Sequence, residues 1–73
     1  MTITETNRAM SLACIERMQA LGLKGKKRED EALSYCVGFA KALEMNGLPV
    51  PEGFMFLVSL RGWSYLVETA TED

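Results

Sequence analysis

Phe54-Met55-Phe56-Leu57-Val58-Ser59-Leu60 and Trp63-Ser64-Tyr65-Leu66-Val67-Glu68-Thr69 are two apolar runs separated only by Arg61-Gly62. How they are read decides the fold. Taken as one continuous helix at about 100° per residue, Ser59, Arg61, Ser64 and Glu68 scatter around the wheel and Gly62 falls in the interior. Taken as a hairpin turning at Arg61-Gly62, the pairing is orderly. Leu60 then faces Trp63, Val58 faces Tyr65 and Phe56 faces Val67 on one side. On the other side Ser59 faces Ser64, Leu57 faces Leu66 and Met55 faces Glu68. Aromatic and β-branched cross-strand pairs are the favoured unit of sheet stabilisation. The pattern predicts a β-hairpin over about 54–69, with a third helix as the alternative, and an acidic tail over 70–73.

Upstream, Asn46-Gly47-Leu48-Pro49 is a helix stop: glycine supplies the left-handed residue and proline beyond it forbids continuation. The loop to Gly53 carries both prolines and is expected to be extended and stiff. A helix is predicted over about 27–45, with Ala32, Leu33, Cys36, Phe39, Ala40 and Leu43 on its apolar stripe. Glu29, Asp30 and Glu31 are expected in its first turn, where the helix dipole favours anions. Gly38 inside it is expected to mark the close approach of another backbone. An earlier helix is predicted over about 4–21. Thr2 with Glu5 offers a capping box, and Thr4 or Thr6 an alternative cap. Its stripe is Met10, Ala13, Cys14, Met18 and Leu21, with Leu12 and Ile15 widening it and Ser11 on the polar side. Gly22-Leu23 is its stop.

The expected fold is therefore α+β, one small domain over 1–73: two antiparallel helices packed on a C-terminal β-hairpin, or else an all-α three-helix bundle. A lone hairpin has two open edges, so pairing of two hairpins into a homodimer is expected.

The chain has 73 residues, eight Lys and Arg against ten Asp and Glu, no His, and 48% hydrophobic residues. A chain this short buries only about 60% of its unfolded surface, but its apolar content argues against general disorder. With no His, Cys14 and Cys36 are the only soft metal ligands, and a closed zinc site wants four. No metal and no cofactor are expected. The first residues lack a basic and an apolar region of a signal peptide. The longest apolar run, Phe54–Val58, is far short of a membrane span. The expected compartment is the cytoplasm, where thiols stay reduced.

Chemistry-bearing residues are few. Cys14 and Cys36 lie on apolar stripes, where a free thiol behaves as a small hydrophobe. A nucleophilic cysteine needs a base or an electropositive site. Gly22-Leu23-Lys24-Gly25-Lys26-Lys27-Arg28 lacks the spacing and the Ser/Thr of a phosphate loop, but it concentrates four cations. The carboxylates read as capping and solubility groups. The expectation is a non-enzymatic protein–protein interaction module that binds a larger protein. Its candidate partner-binding residues are Lys24, Lys26, Lys27 and Arg28 on the basic turn, and Met55, Leu57, Arg61, Trp63 and Tyr65 on the hairpin. A short chain without a catalytic set suits a phage or mobile-element accessory protein that sterically inhibits a larger host complex, such as a defence nuclease. The alternative is a small nucleic-acid-binding regulator using residues 24–28.

Overall fold

The computed structural model describes residues 3–71. The chain forms α1 (Ile3–Ala20), α2 (Gly25–Met45), α3 (Phe54–Arg61) and α4 (Trp63–Ala70). There is no strand among the described residues. The α+β expectation is overturned: the stretch read as a hairpin is two short helices, and the fold is all-helical. A single third helix, the alternative, is also replaced by a pair.

Two physical facts explain the difference. The favoured two-residue hairpin turns need positive φ at their first central residue, which here would be Arg61. The chain avoids that cost: among the described residues only glycines have positive φ. Gly62 takes φ 60°, ψ −136°, breaks the helix and resets its phase. On either side of the break the apolar spacing is helical. Phe54 and Val58 are one turn apart and 1% and 3% exposed, while Tyr65, Leu66, Thr69 and Ala70 are buried from α4. Phe56 and Leu60, assigned to the inner hairpin face, are instead 67% and 68% exposed. Ser59, awkward in a continuous helix, donates to a carbonyl one turn back, Met55 O at 3.1 Å, as Thr69 does to Tyr65 O at 3.0 Å. The strand-edge argument for a homodimer falls with the hairpin.

The two long helices end in the same way. Leu23 N–H donates to Met18 O and Gly22 N–H to Gln19 O; Leu48 N–H donates to Leu43 O and Gly47 N–H to Glu44 O. This is the Schellman arrangement, with a glycine in the left-handed position. The short turn after α1 sends α2 back along it, and α4 then makes the most extensive contact with α1. The core joins Met10, Cys14 and Met18 of α1, Ala32, Cys36, Ala40 and Leu43 of α2, and Phe54, Val58, Tyr65 and Leu66. Its radius of gyration, 11.4 Å, matches the about 11 Å of a well-packed chain of this length.

Several local expectations are corrected. Ser11 is buried, not on a polar face, because α4 covers that side of α1. Its hydroxyl lies 2.5 Å from that of Thr69, and Asn7 Nδ2 donates to the Tyr65 hydroxyl at 3.0 Å. Leu12 and Leu21 are exposed. Thr4 and Thr6 lie inside α1 and do not cap it. Ala70 is buried at the end of α4, not part of a frayed tail. Thr2, Glu72 and Asp73 lie outside the described residues, and with them the capping box and both carboxylates of the acidic tail.

Gly38 approaches no other backbone: a Cβ added there meets nothing within 4 Å. Its helical position is open and solvent-facing, so Gly38→Ala is expected to stabilise the protein by about 1 kcal/mol through helix propensity. Thermal melting of the two forms checks this, and a lower Tm in the variant contradicts it.

Candidate functional site

α2 begins at Gly25, earlier than the expected start near 27. The shift puts Lys26, Lys27 and Arg28 in its first turn. Glu29, Asp30 and Glu31, expected there, follow in the second. The first turn contains no acidic residue, and its N-cap, Lys24, makes no side-chain cap. Cations at the positive end of a helix dipole are disfavoured by about 0.3–1 kcal/mol each at low salt. Among the described residues none of the four is ion-paired: the salt bridge found there joins Arg61 to Glu68.

Glu29 has a different task. Its carboxylate accepts the backbone N–H of Trp63 at 3.0 and 3.3 Å through its two oxygens. It thus caps α4 from 34 positions away in sequence, and the α4 dipole favours the negative charge there. The preceding side chain, Arg28, packs beside this junction with its guanidinium carbon 4.2 Å from the Trp63 ring centroid. Arg28 Nε is buried and has no acceptor. These groups wall a cavity of about 290 Å³ lined by Gln19, Gly22, Leu23, Lys24, Arg28 and Trp63. The end of α1, the turn, and the starts of α2 and α4 all contribute to it.

The sequence-predicted partner residues are thereby divided. Lys24, Lys26 and Lys27 are exposed, and Arg28 and Trp63 are half-buried against each other. Met55 and Leu57 are partly buried and packed on the core. Arg61 lies over the Tyr65 ring, 5.6 Å from its centroid, and pairs with Glu68 across the α3–α4 junction. Tyr65 itself is a core residue, edge-on to Phe54 with centroids 5.7 Å apart. Phe56 and Leu60 were not among the candidates, yet they are the most exposed of the large apolar side chains on α3. The signal that would have found them is Gly62, read as a helix break.

No protein-family model, curated protein or solved structure matches this chain.

Cys14 and Cys36 are free, fully buried thiols facing each other between α1 and α2. Cys14 also points its Sγ at Ala32 O, 3.7 Å away. The hydrogen bond to Cys14, together with burial, pushes the Cys36 pKa well above the ordinary thiol value. Cys36 therefore stays protonated and is a poor nucleophile, and burial shields both sulfurs from reagents. In native protein at pH 8, labelling by a chromogenic aromatic disulfide is expected only at the rate of protein opening, and both thiols should react at once in guanidinium chloride. Fast stoichiometric labelling of the native form contradicts this. No helix among the described residues is long and apolar enough to cross a membrane.

Proposed function

We propose that the protein is a non-enzymatic interaction module that docks on a larger protein through the outer face of α3. The supporting observation is that α3 is apolar on both sides: Phe54 and Val58 fill the core while Phe56 and Leu60, one turn apart, stand in water. A helix apolar all round is normally covered all round. Anchors at i and i+4 are the spacing with which a helix fills a hydrophobic groove. Covering each contributes about 1.5–3 kcal/mol. An eight-residue helix is about 12 Å long, short against the about 1,200 Å² that a stable interface buries in total. A partner with a receiving groove supplies the remaining surface; a second copy offers only the same small face. The chain's thiols are enclosed, in keeping with action by occupancy, and steric inhibition of a larger complex is the mode this reading favours.

The test is a double variant, Phe56→Ser with Leu60→Ser. Its circular dichroism should match the parent, because both side chains lie outside the core. A partner captured by the parent from the source cell and rebound as purified protein should lose at least about a hundredfold in affinity, the equivalent of two lost anchors. Unchanged affinity removes α3 from the interface. Sedimentation equilibrium of the parent decides the occupant: a dimer that the double variant dissociates assigns the face to a second copy and overturns the larger-partner reading.

A further inference from the structure

We propose that the cavity between Lys24, Arg28 and Trp63 is an oxyanion site that takes a phosphate monoester, a function separate from the docking face of α3. Three independent features of the cavity converge on a small anion. The first is the state of Arg28. Its guanidinium is stacked on the Trp63 ring at 4.2 Å, its Nε is occluded without an acceptor, and no carboxylate among the described residues pairs with it. A buried charged donor left unsatisfied is costly and calls for a partner. Stacking on an aromatic ring is also how arginine is held rigid for planar, two-pronged recognition of phosphate.

The second feature is the wall. Lys24 adds another cation to the lining and Gln19 an amide, with no carboxylate among the lining residues. The nearest acidic side chain in sequence, Glu29, is committed to the Trp63 N–H. The third feature is size. At about 290 Å³ the cavity sits at the lower end of ligand pockets, suited to a compact anion with its first waters. The cavity lies beside the start of α2, whose N-cap Lys24 makes no side-chain cap, and the positive end of that dipole favours the same charge.

The geometry selects a terminal phosphate over a nucleic-acid backbone. A polyanion is gathered by an extended basic face. Here Lys24 and Arg28 meet at one small, partly open cavity, while Lys26 and Lys27 lie outside its lining, in a chain of net charge −2. A phosphomonoester carries nearly two charges and three acceptor oxygens at neutral pH, enough to engage Arg28 and Lys24 together. The ester could be a free metabolite or a phosphorylated side chain of a protein; both present the same group.

Trp63 is the only tryptophan, so its fluorescence reports directly on the site. Inorganic phosphate is titrated against sodium chloride of matched ionic strength, with amide shifts of residues 24–28 followed in parallel. The expected result is saturable quenching and shifts with phosphate, with Kd on the order of 1 mM or below, equivalent to about 4 kcal/mol, and no saturation with chloride. Lys24→Gln, at an exposed position, and Arg28→Gln should each weaken binding at least tenfold. Equal, unsaturating responses to phosphate and chloride overturn the proposal, as does saturable binding that both variants retain. Phosphoserine and phosphoserine peptides separate the two sources: tighter binding of the peptide places the ester on a protein, equal binding on a small molecule. A single-stranded oligonucleotide lacking terminal phosphates that displaces phosphate at lower concentration than phosphoserine overturns the monoester assignment. Failure of this titration leaves the α3 capture experiment untouched, since Phe56 and Leu60 take no part in the cavity.

Discussion

Gly62→Ala is expected to lower stability by about 2–4 kcal/mol, combining a backbone strain of about 1–3 kcal/mol with loss of a helix cap worth about 1 kcal/mol. The φ of 60° and ψ of −136° at this residue belong to glycine. A Cβ built there overlaps the Glu29 carboxylate, so the side chain that caps α4 has to leave. For a domain of this size the loss corresponds to a Tm about 10–25 °C lower. The two contributions separate in a Glu29→Ala background. There the cap and the overlap are already gone, and the same substitution should cost only the strain. Denaturant melts of the four proteins give the coupling energy. Additive costs would mean that Glu29 and Gly62 do not meet.

Phe54→Ala should be the most damaging of the aromatic truncations, costing about 3–5 kcal/mol, while Phe56→Ala should fall within about 0.5 kcal/mol of zero. The side chains are identical and two positions apart, but Phe54 is 1% exposed and Phe56 67%. Total stability for this length is on the order of 4–11 kcal/mol, so the Phe54 variant should lose a quarter or more of it. The contrast also discriminates between folds. In a hairpin residues 54 and 56 share a face and would respond alike; in α3 they point apart. Equal, large losses at both positions would restore the strand.

The parts of the fold that sequence reveals are those whose cause is local. Gly22-Leu23 and Gly47-Leu48 each place a left-handed residue and a following apolar side chain within one turn, and α1 and α2 stop there. The Cys14, Met18, Cys36 and Leu43 stripe shows the same locality. The α3–α4 pair escapes because each helix has only eight residues, barely two periods, and Gly62 shifts the phase between them. A continuous wheel across the break scrambles a pattern that two wheels would display. The reluctance of Arg61 to adopt positive φ was the counterweight within the sequence itself.

Other features have causes distributed along the chain. Ser11 reads as a surface residue until Thr69 supplies its partner from 58 positions away. Glu29 reads as a first-turn anion of its own helix, but it serves the start of another. The basic run at 24–28 is visible in sequence as charge. The meeting of Lys24 and Arg28 with Gln19 and Trp63 in one cavity depends on the α4 packing that the hairpin reading had removed.

That long-range closure bears on how the protein is made. Ser11 leaves the ribosome 58 residues ahead of Thr69, roughly 3–12 s at ordinary elongation rates of about 5–20 residues per second. During that interval α1 and α2 can zip together through Met18, Cys14 and Cys36, but the flank of α1 bearing Thr6, Ser11 and Asn7 waits uncovered for a helix not yet synthesised. The nascent chain is therefore a two-helix hairpin with an unfinished side, its backbone open to proteases. It becomes resistant only when the final helix swings in about Gly62 and locks onto Glu29. Slowing elongation after residue 50 should prolong this vulnerable stage, whereas accelerating it should carry more chains past the point at which quality-control factors recognise them.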